Sequence, residues 1–221
     1  MRLAAVVMTL FPLLPVAANA ESTARIIDLT HAFDAKTIFW PTEKGFELEA
    51  EHAGVTEQGY YYAANRFCTA EHGGTHVDAP RHFAESGQTV DEIPLERLVG
   101  PAVTVDVTER AAKERDYRIG VEDLRAFEKR HGEIPRRSIV LLRTGFGALW
   151  PDRERYLGTA ERGGEAVARL HFPGLHPEAA RWLVAEREAR AVGIDTASID
   201  YGQSKLFETH VVLSARNVPA F

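Results

Sequence analysis

Residues 71–83 read Glu71-His72-Gly73-Gly74-Thr75-His76-Val77-Asp78-Ala79-Pro80-Arg81-His82-Phe83. Three histidines and an aspartate fall between His72 and His82. Imidazole and carboxylate are the usual ligands of zinc, manganese or iron where thiolate is absent. His72, His76, Asp78 and His82 share parity, so an extended chain would project all four to one side. A straight strand would still spread them over about 30 Å at roughly 3.3 Å per residue. One ion accepts ligands only about 2.0–2.2 Å away, so the chain has to bend. Gly73-Gly74 and Pro80 are placed to bend it. This predicts strand and turn, with His76 and Asp78 side by side and His72 returning across the glycines. A helix is the rival, since His72 and His76 are also four apart, but two glycines and Pro80 make it costly. The plain alternative is a set of unrelated polar residues on a surface turn. Four ligand-type residues at this spacing between bending residues favour a metal site.

Outward from this stretch, the pattern is mostly β before it and alternates helix with strand after it. Ala24 to Leu29 and Thr37 to Trp40 read as short β runs. Phe46 to His52 alternates apolar and acidic residues, as a half-buried strand does. Tyr60 to Ala70 is aromatic-rich and strand-like. Pro94 to Leu98 reads as one helical turn. Pro101 to Val107 and Ser138 to Leu142 are strands, the second of the buried type. Val121 to His131 is a polar helix beginning at Gly120, and Pro177 to Arg190 a helix with proline at its first position. Ala191 to Asp195 is another buried strand. Leu206 to Ala215 fits helix or strand equally. Glu109–Arg118 and Leu149–Gly164 are charged and read as surface. The order predicts an α/β fold, a mixed sheet with packed helices.

The chain has 221 residues, 45% apolar and 26% charged, with a formal charge of −6. That balance supplies no basic field for nucleic acid. A single cysteine, Cys68, excludes an intrachain disulfide and every Cys-pair metal or redox motif. Cys68 itself reads as a small buried hydrophobe. Any metal site is therefore built mainly from His, Asp and Glu.

Residues 1–20 read as a secretory signal: Met1-Arg2, the apolar run Leu3 to Val16, then Ala18-Asn19-Ala20 before a cut at Glu21. The run is short for a bilayer span, although an uncleaved anchor is the alternative. The mature part, 21–221, is then expected to be secreted or periplasmic, with no stable membrane insertion.

The 72–83 stretch resembles the signature of the cyclase family, H-x-G-T-H-x-D-x-P-x-H-F, which includes bacterial kynurenine formamidase and isatin hydrolase. Every fixed position is present: His72, Gly74, Thr75, His76, Asp78, Pro80, His82 and Phe83. Asp28-Leu29-Thr30, Trp40-Pro41, Gly193-Ile194-Asp195-Thr196 and Ser198-Ile199-Asp200 resemble the family's flanking segments. The resemblance implies the swivelling β/β/α fold, with His72, His76 and Asp78 holding the catalytic metal and His82 as general acid or base. It makes His210 a further ligand, and places a later acidic ligand just past Phe221, so the chain reads as C-terminally incomplete.

That ligand set implies metal-dependent hydrolysis of amide or lactam C–N bonds, with zinc or manganese as the ion. Arylformamidase chemistry on small aryl substrates such as N-formylkynurenine leads, followed by isatin ring opening. A non-catalytic periplasmic metal-binding protein is the alternative. Phe39, Trp40, Tyr60, Tyr61, Tyr62 and Phe83 are candidates for an aryl-binding wall or for core, with Trp40 and Phe83 the chosen substrate contacts. The family also implies a homo-oligomer. No G-x-S-x-G or H-E-x-x-H motif occurs, which argues against serine hydrolase and zincin protease.

Overall fold

The computed structural model describes residues 26–221. The leader read at residues 1–20 lies outside them. No helix among the described residues is long and apolar enough to cross a membrane. In chain order the elements are β1 (Glu47–Val55), β2 (Tyr61–Cys68), α1 (Leu95–Leu98), β3 (Ala102–Asp106), α2 (Thr108–Lys113), β4 (Arg118–Ile119) and α3 (Val121–His131). There follow β5 (Ile139–Arg143), α4 (Arg153–Leu157), α5 (Gly164–Val167), β6 (Gly174–Leu175), α6 (Pro177–Arg187), β7 (Ala191–Ile194) and α7 (Glu208–Ser214).

The central sheet is parallel, in the order β3-β5-β7, with Val105 opposite Leu142 and Leu142 opposite Ile194. Its middle strand is an unbroken Ile-Val-Leu-Leu run, as burial demands of an inner parallel strand. Val140 and Leu142 are closed to solvent and share one core with Leu124 of α3, Leu183 of α6 and Leu213 of α7. A second core of Ile38, Phe146, Leu157, Leu170 and Phe172 carries Trp40 and Trp150 at its edge. The observed fold is the mixed α/β arrangement that the alternation of elements predicts.

Several local expectations give way. Residues 26–33 form no strand, because no described strand pairs with them, and Ile26 is 96% exposed. Phe46–His52 does contribute a strand, β1, but that strand is exposed on both faces rather than half-buried. Cys68 is exposed at the end of β2. The 149–164 segment is not all surface: Leu157 is fully buried and caps the second core. The α6 helix stops at Arg187, where Glu188 turns left-handed (φ +49°) and the N–H of Ala189 closes back on the carbonyl of Leu183. Leu206–Ala215 resolves as helix α7.

Residues 218–221 carry the sheet to the site. The N–H of Val192 donates to Pro219 and that of Ile194 to Phe221, so this segment runs along β7. On its other side the N–H of Asp78 donates to the carbonyl of Ala220 at 2.7 Å, and Ala220 returns a bond to Asp78 at 3.3 Å. Asp78 is thus fixed to the rigid parallel sheet rather than left on a loop.

Candidate metal centre

The 71–83 stretch forms no α-helix and no full strand: it is a series of bends with isolated bridges at Gly73 and Asp78, closing in a 3₁₀ turn. Gly73 bridges to Phe39, and a Cβ there would lie 2.1 Å from the Phe39 ring, so only glycine fits. Gly74 takes φ +63°, the left-handed conformation that reverses the chain between His72 and His76. Pro80 opens a 3₁₀ turn, Pro80–His82, that swings His82 back over the site. The bends expected at Gly73-Gly74 and Pro80 are therefore both present.

Asp78 stands at the centre. Nδ1 of His72 lies 2.7 Å from its Oδ1, and Nε2 of His76 lies 3.1 Å from the same oxygen. Nε2 of His210 faces Oδ2 at 3.4 Å. His82 stacks on His72 with ring centroids 3.6 Å apart and planes 21° apart. One donor atom from each of His72, Asp78 and His82 lies within 4.8 Å of the other two. The five side chains that the sequence singled out as ligands or proton carrier come together.

The hydrogen-bond roles show what the cluster requires. Nδ1–H of His76 donates to the carbonyl of Gly74 at 3.0 Å. Nδ1–H of His210 donates to Oδ2 of Asp200 at 2.6 Å. Each neutral ring therefore aims a bare Nε2 at the carboxylate of Asp78, lone pair against lone pair. Such an arrangement is repulsive unless a cation stands between them. Two ligand atoms about 2.1 Å from one ion, at square or tetrahedral angles, are about 3.0–3.4 Å apart; the contacts of His76 and His210 to Asp78 match that spacing of a divalent metal site, and that of His72 is shorter. The titration behaviour points the same way. Burial alone would raise the carboxyl of Asp78, but contacts from His210, His72 and His76 outweigh it and hold it well below the usual range. Burial would lower His76 and His210, yet their carboxylate partners raise both. Protons supply the positive charge in the absence of metal.

His82 behaves differently. Its ring is partly enclosed by His72 and Phe83 while the residue stays open to the cleft. That enclosure, with the charge of the neighbouring His72, holds it down to about 4. It is neutral at pH 7 and accepts a proton before it donates one.

Asp200 carries no role in the reading of the sequence, yet it anchors His210. It is buried, and its carboxylate accepts from Nδ1 of His210 and from the backbone N–H groups of Thr209 (3.0 Å) and His210 (3.1 Å). One group caps α7 and orients the imidazole. Nothing local in the sequence marks this pairing, because it spans ten positions across a turn. Asp200→Asn is expected to lower metal affinity about 10–100-fold, read by equilibrium dialysis, because the amide cannot hold the imidazole tautomer.

The cluster forms one wall of a cleft of about 510 Å³. Trp40 and Phe83 line it together with Phe39, Trp150, Tyr156 and Phe207. Phe83 stacks on His210 (4.4 Å) and lies 5.5 Å from Phe207. Phe207 is held left-handed at φ +48°, which turns its ring inward, 6.3 Å from Trp40; no sequence pattern signals it. Tyr60, Tyr61 and Tyr62 are neither wall nor core: they are exposed on the hairpin. The lining includes Glu43, Glu71 and Asp78 and neither lysine nor arginine.

A family model described as "Putative cyclase" matches residues 27–201. The chain belongs to the cyclase family. An isatin hydrolase of Roseibium aggregatum is 28% identical over 167 residues, and a kynurenine formamidase of Salinibacter ruber is 32% identical over 180. These matches cover 72% and 79% of this chain, but 61% and 70% of the relatives' own lengths. Among solved structures, isatin hydrolase A from Ralstonia solanacearum superposes with a TM-score of 0.77 at 30% identity, covering 89% of this chain and 77% of that one. The cyclase-family resemblance carried by residues 72–83 thus extends through the fold.

Proposed function

We propose that this protein hydrolyses amide or lactam C–N bonds in small aryl substrates, using a divalent metal ion. The observation that carries the proposal is the convergence of ring nitrogens of His72, His76 and His210 on the Asp78 carboxylate, beside an aromatic cleft. His72, His76, Asp78 and His210 are the residues that would hold the ion, and imidazole with carboxylate suits zinc or manganese. When bound, such an ion supplies Lewis acidity towards a carbonyl and acidifies a water molecule.

The protein's own groups do the rest. Trp40, Phe83 and Phe207 clamp an aryl ring and set the carbonyl against the histidine wall. In hydrolysis the carbonyl carbon gains an oxygen from water and the C–N bond breaks. The oxygen loses a proton and the leaving nitrogen gains one. Neutral His82 takes the first proton and delivers it to the nitrogen, so acid and base are one side chain. With acidic groups at the rim and no lysine or arginine in the lining, a neutral aryl amide or lactam suits the cleft better than an anionic one. Kynurenine formamidase and isatin hydrolase among the relatives support these two substrate classes. The Ala18-Asn19-Ala20 pattern supports export of the mature chain.

The test is turnover of N-formylkynurenine and isatin by purified protein of measured metal content. Turnover should vanish on chelation and return with zinc or manganese. Activity that persists after complete metal removal, or an ion-loaded protein inert towards both, contradicts the proposal; the second result favours a binding protein.

A further inference from the structure

Tyr156 lines the cleft and has no task in the proposed hydrolysis. It sits in α4, where the carboxylate of Asp152 caps the first turn by accepting from the N–H of Arg155 at 3.0 Å. The next residue, Leu157, is sealed in the second core and anchors the helix. The Tyr156 ring packs edge-on against Trp150, with centroids 5.5 Å and planes 86° apart. The residue is only 8% exposed, so its ring is held in place.

Its hydroxyl is nonetheless unpaired. Among the described residues none hydrogen-bonds to it; burial and the charge of Asp195 are what act on it. That carboxylate is already engaged by the N–H and hydroxyl of Thr144 (2.7 and 2.6 Å) and by the N–H of Gly145 (2.8 Å). The other hydroxyls of the lining are engaged too. Those of Thr69 and Thr196 donate to the carbonyls of Ala70 and Ser198, and that of Ser198 accepts from the N–H of Asp200. The unpaired side-chain atoms that are sealed from solvent belong to other residues, so the Tyr156 oxygen reaches the open cleft. Only solvent or a bound molecule can pair with it. Burial and Asp195 both push the phenol up, so it stays protonated and serves as a donor.

A fixed, water-shielded donor favours a molecule that brings it an acceptor and disfavours one that covers it with hydrocarbon. The indole N–H groups of Trp40 and Trp150 are further donors in the lining, but both residues are only half-buried. We infer that Tyr156 is a specificity-determining residue whose hydroxyl donates to a second carbonyl of the substrate, a ketone beside the scissile amide or lactam. The inference rests on the hydrolysis proposed above and narrows its substrates to aryl amides and lactams with an ortho ketone. N-formylkynurenine and isatin both have that form: each carries a ketone on the ring carbon next to the one that bears nitrogen. With the aryl ring among Trp40, Phe83 and Phe207 and the scissile carbonyl against the histidines, this ketone is the acceptor that remains for Tyr156.

Calorimetric titration of the metal-loaded protein tests this with two ligands that lack a scissile bond. One is 2-aminoacetophenone; the other is 2-ethylaniline, in which a methylene replaces the ketone. The ratio of their affinities should fall about 3–10-fold from wild type to Tyr156→Phe, the worth of one neutral hydrogen bond. The loss should lie in the ketone, while 2-ethylaniline binds as before. Far-UV circular dichroism and metal content should match the wild type, because the hydroxyl holds nothing within the protein. An unchanged ratio overturns the inference, and so does a wild type that does not bind the ketone. A Tyr156→Phe protein that fails to fold overturns it as well, by showing that the hydroxyl is a structural group. Neither ligand is turned over, so this inference and the proposed hydrolysis stand or fall on separate measurements.

Discussion

Replacing His82 with alanine is expected to lower kcat by about 10²–10⁴-fold while the protein keeps its bound ion. The expectation rests on the division of labour at the site. His72, His76 and His210 each aim a ring nitrogen at Asp78 from 2.7 to 3.4 Å, whereas His82 stacks on His72 and makes no hydrogen bond to that carboxylate. Its loss removes a proton carrier and leaves the donors in place. Metal analysis together with kinetics distinguishes the outcomes. An ion-depleted His82→Ala protein would move His82 into the ligand set; unchanged kcat would deny it any proton transfer.

Asp78→Asn is expected to reduce metal affinity by more than about 100-fold, beyond the cost typical of an outer partner, and to reduce turnover to background. Among the described residues, the Asp78 carboxylate is the negative charge that His72, His76 and His210 all face. Its removal also changes the pH dependence of stability in the ion-free protein. His76 and His210 are raised by their carboxylate partners, so their stabilisation is full below about 6.5 and drains as pH rises through the raised values. The ion-free wild type should therefore lose Tm above about pH 6.5, and Asp78→Asn should flatten that fall by weakening both shifts. Thermal melts in chelator across pH 6–9 check it; identical slopes would show that Asp78 does not hold those protons.

The donors were legible because their spacing forced a bend and the bending residues stood beside them. Gly74 and Pro80 could be assigned their work from steric rules alone. The buried strands β5 and β7 were legible because unbroken aliphatic runs have few alternatives. What stayed hidden depends on contacts far apart in the chain. Asp200 stands in a segment that resembles the family, but its pairing with His210 shows only once α7 folds back to place His210 on it. Phe207 enters the cleft through a left-handed backbone angle that no hydrophobic pattern encodes. The alternation in Phe46–His52 identified a strand correctly but implied a covered face, because periodicity reports which side is apolar and not whether anything within the same chain covers it. Cys68 and the three consecutive tyrosines were misjudged for the same reason.

The bonds between Asp78 and Ala220 have a consequence for biosynthesis. The donors at 72–82 leave the ribosome well over a hundred residues before His210 and the segment that pins Asp78 to the sheet. A nascent chain at that stage holds part of the ligand set on an unsupported loop and can grip an ion only weakly. On the proposed metal site, tight capture would wait for residues 210–220, and acquisition of the ion would then report that the two ends of the site have met.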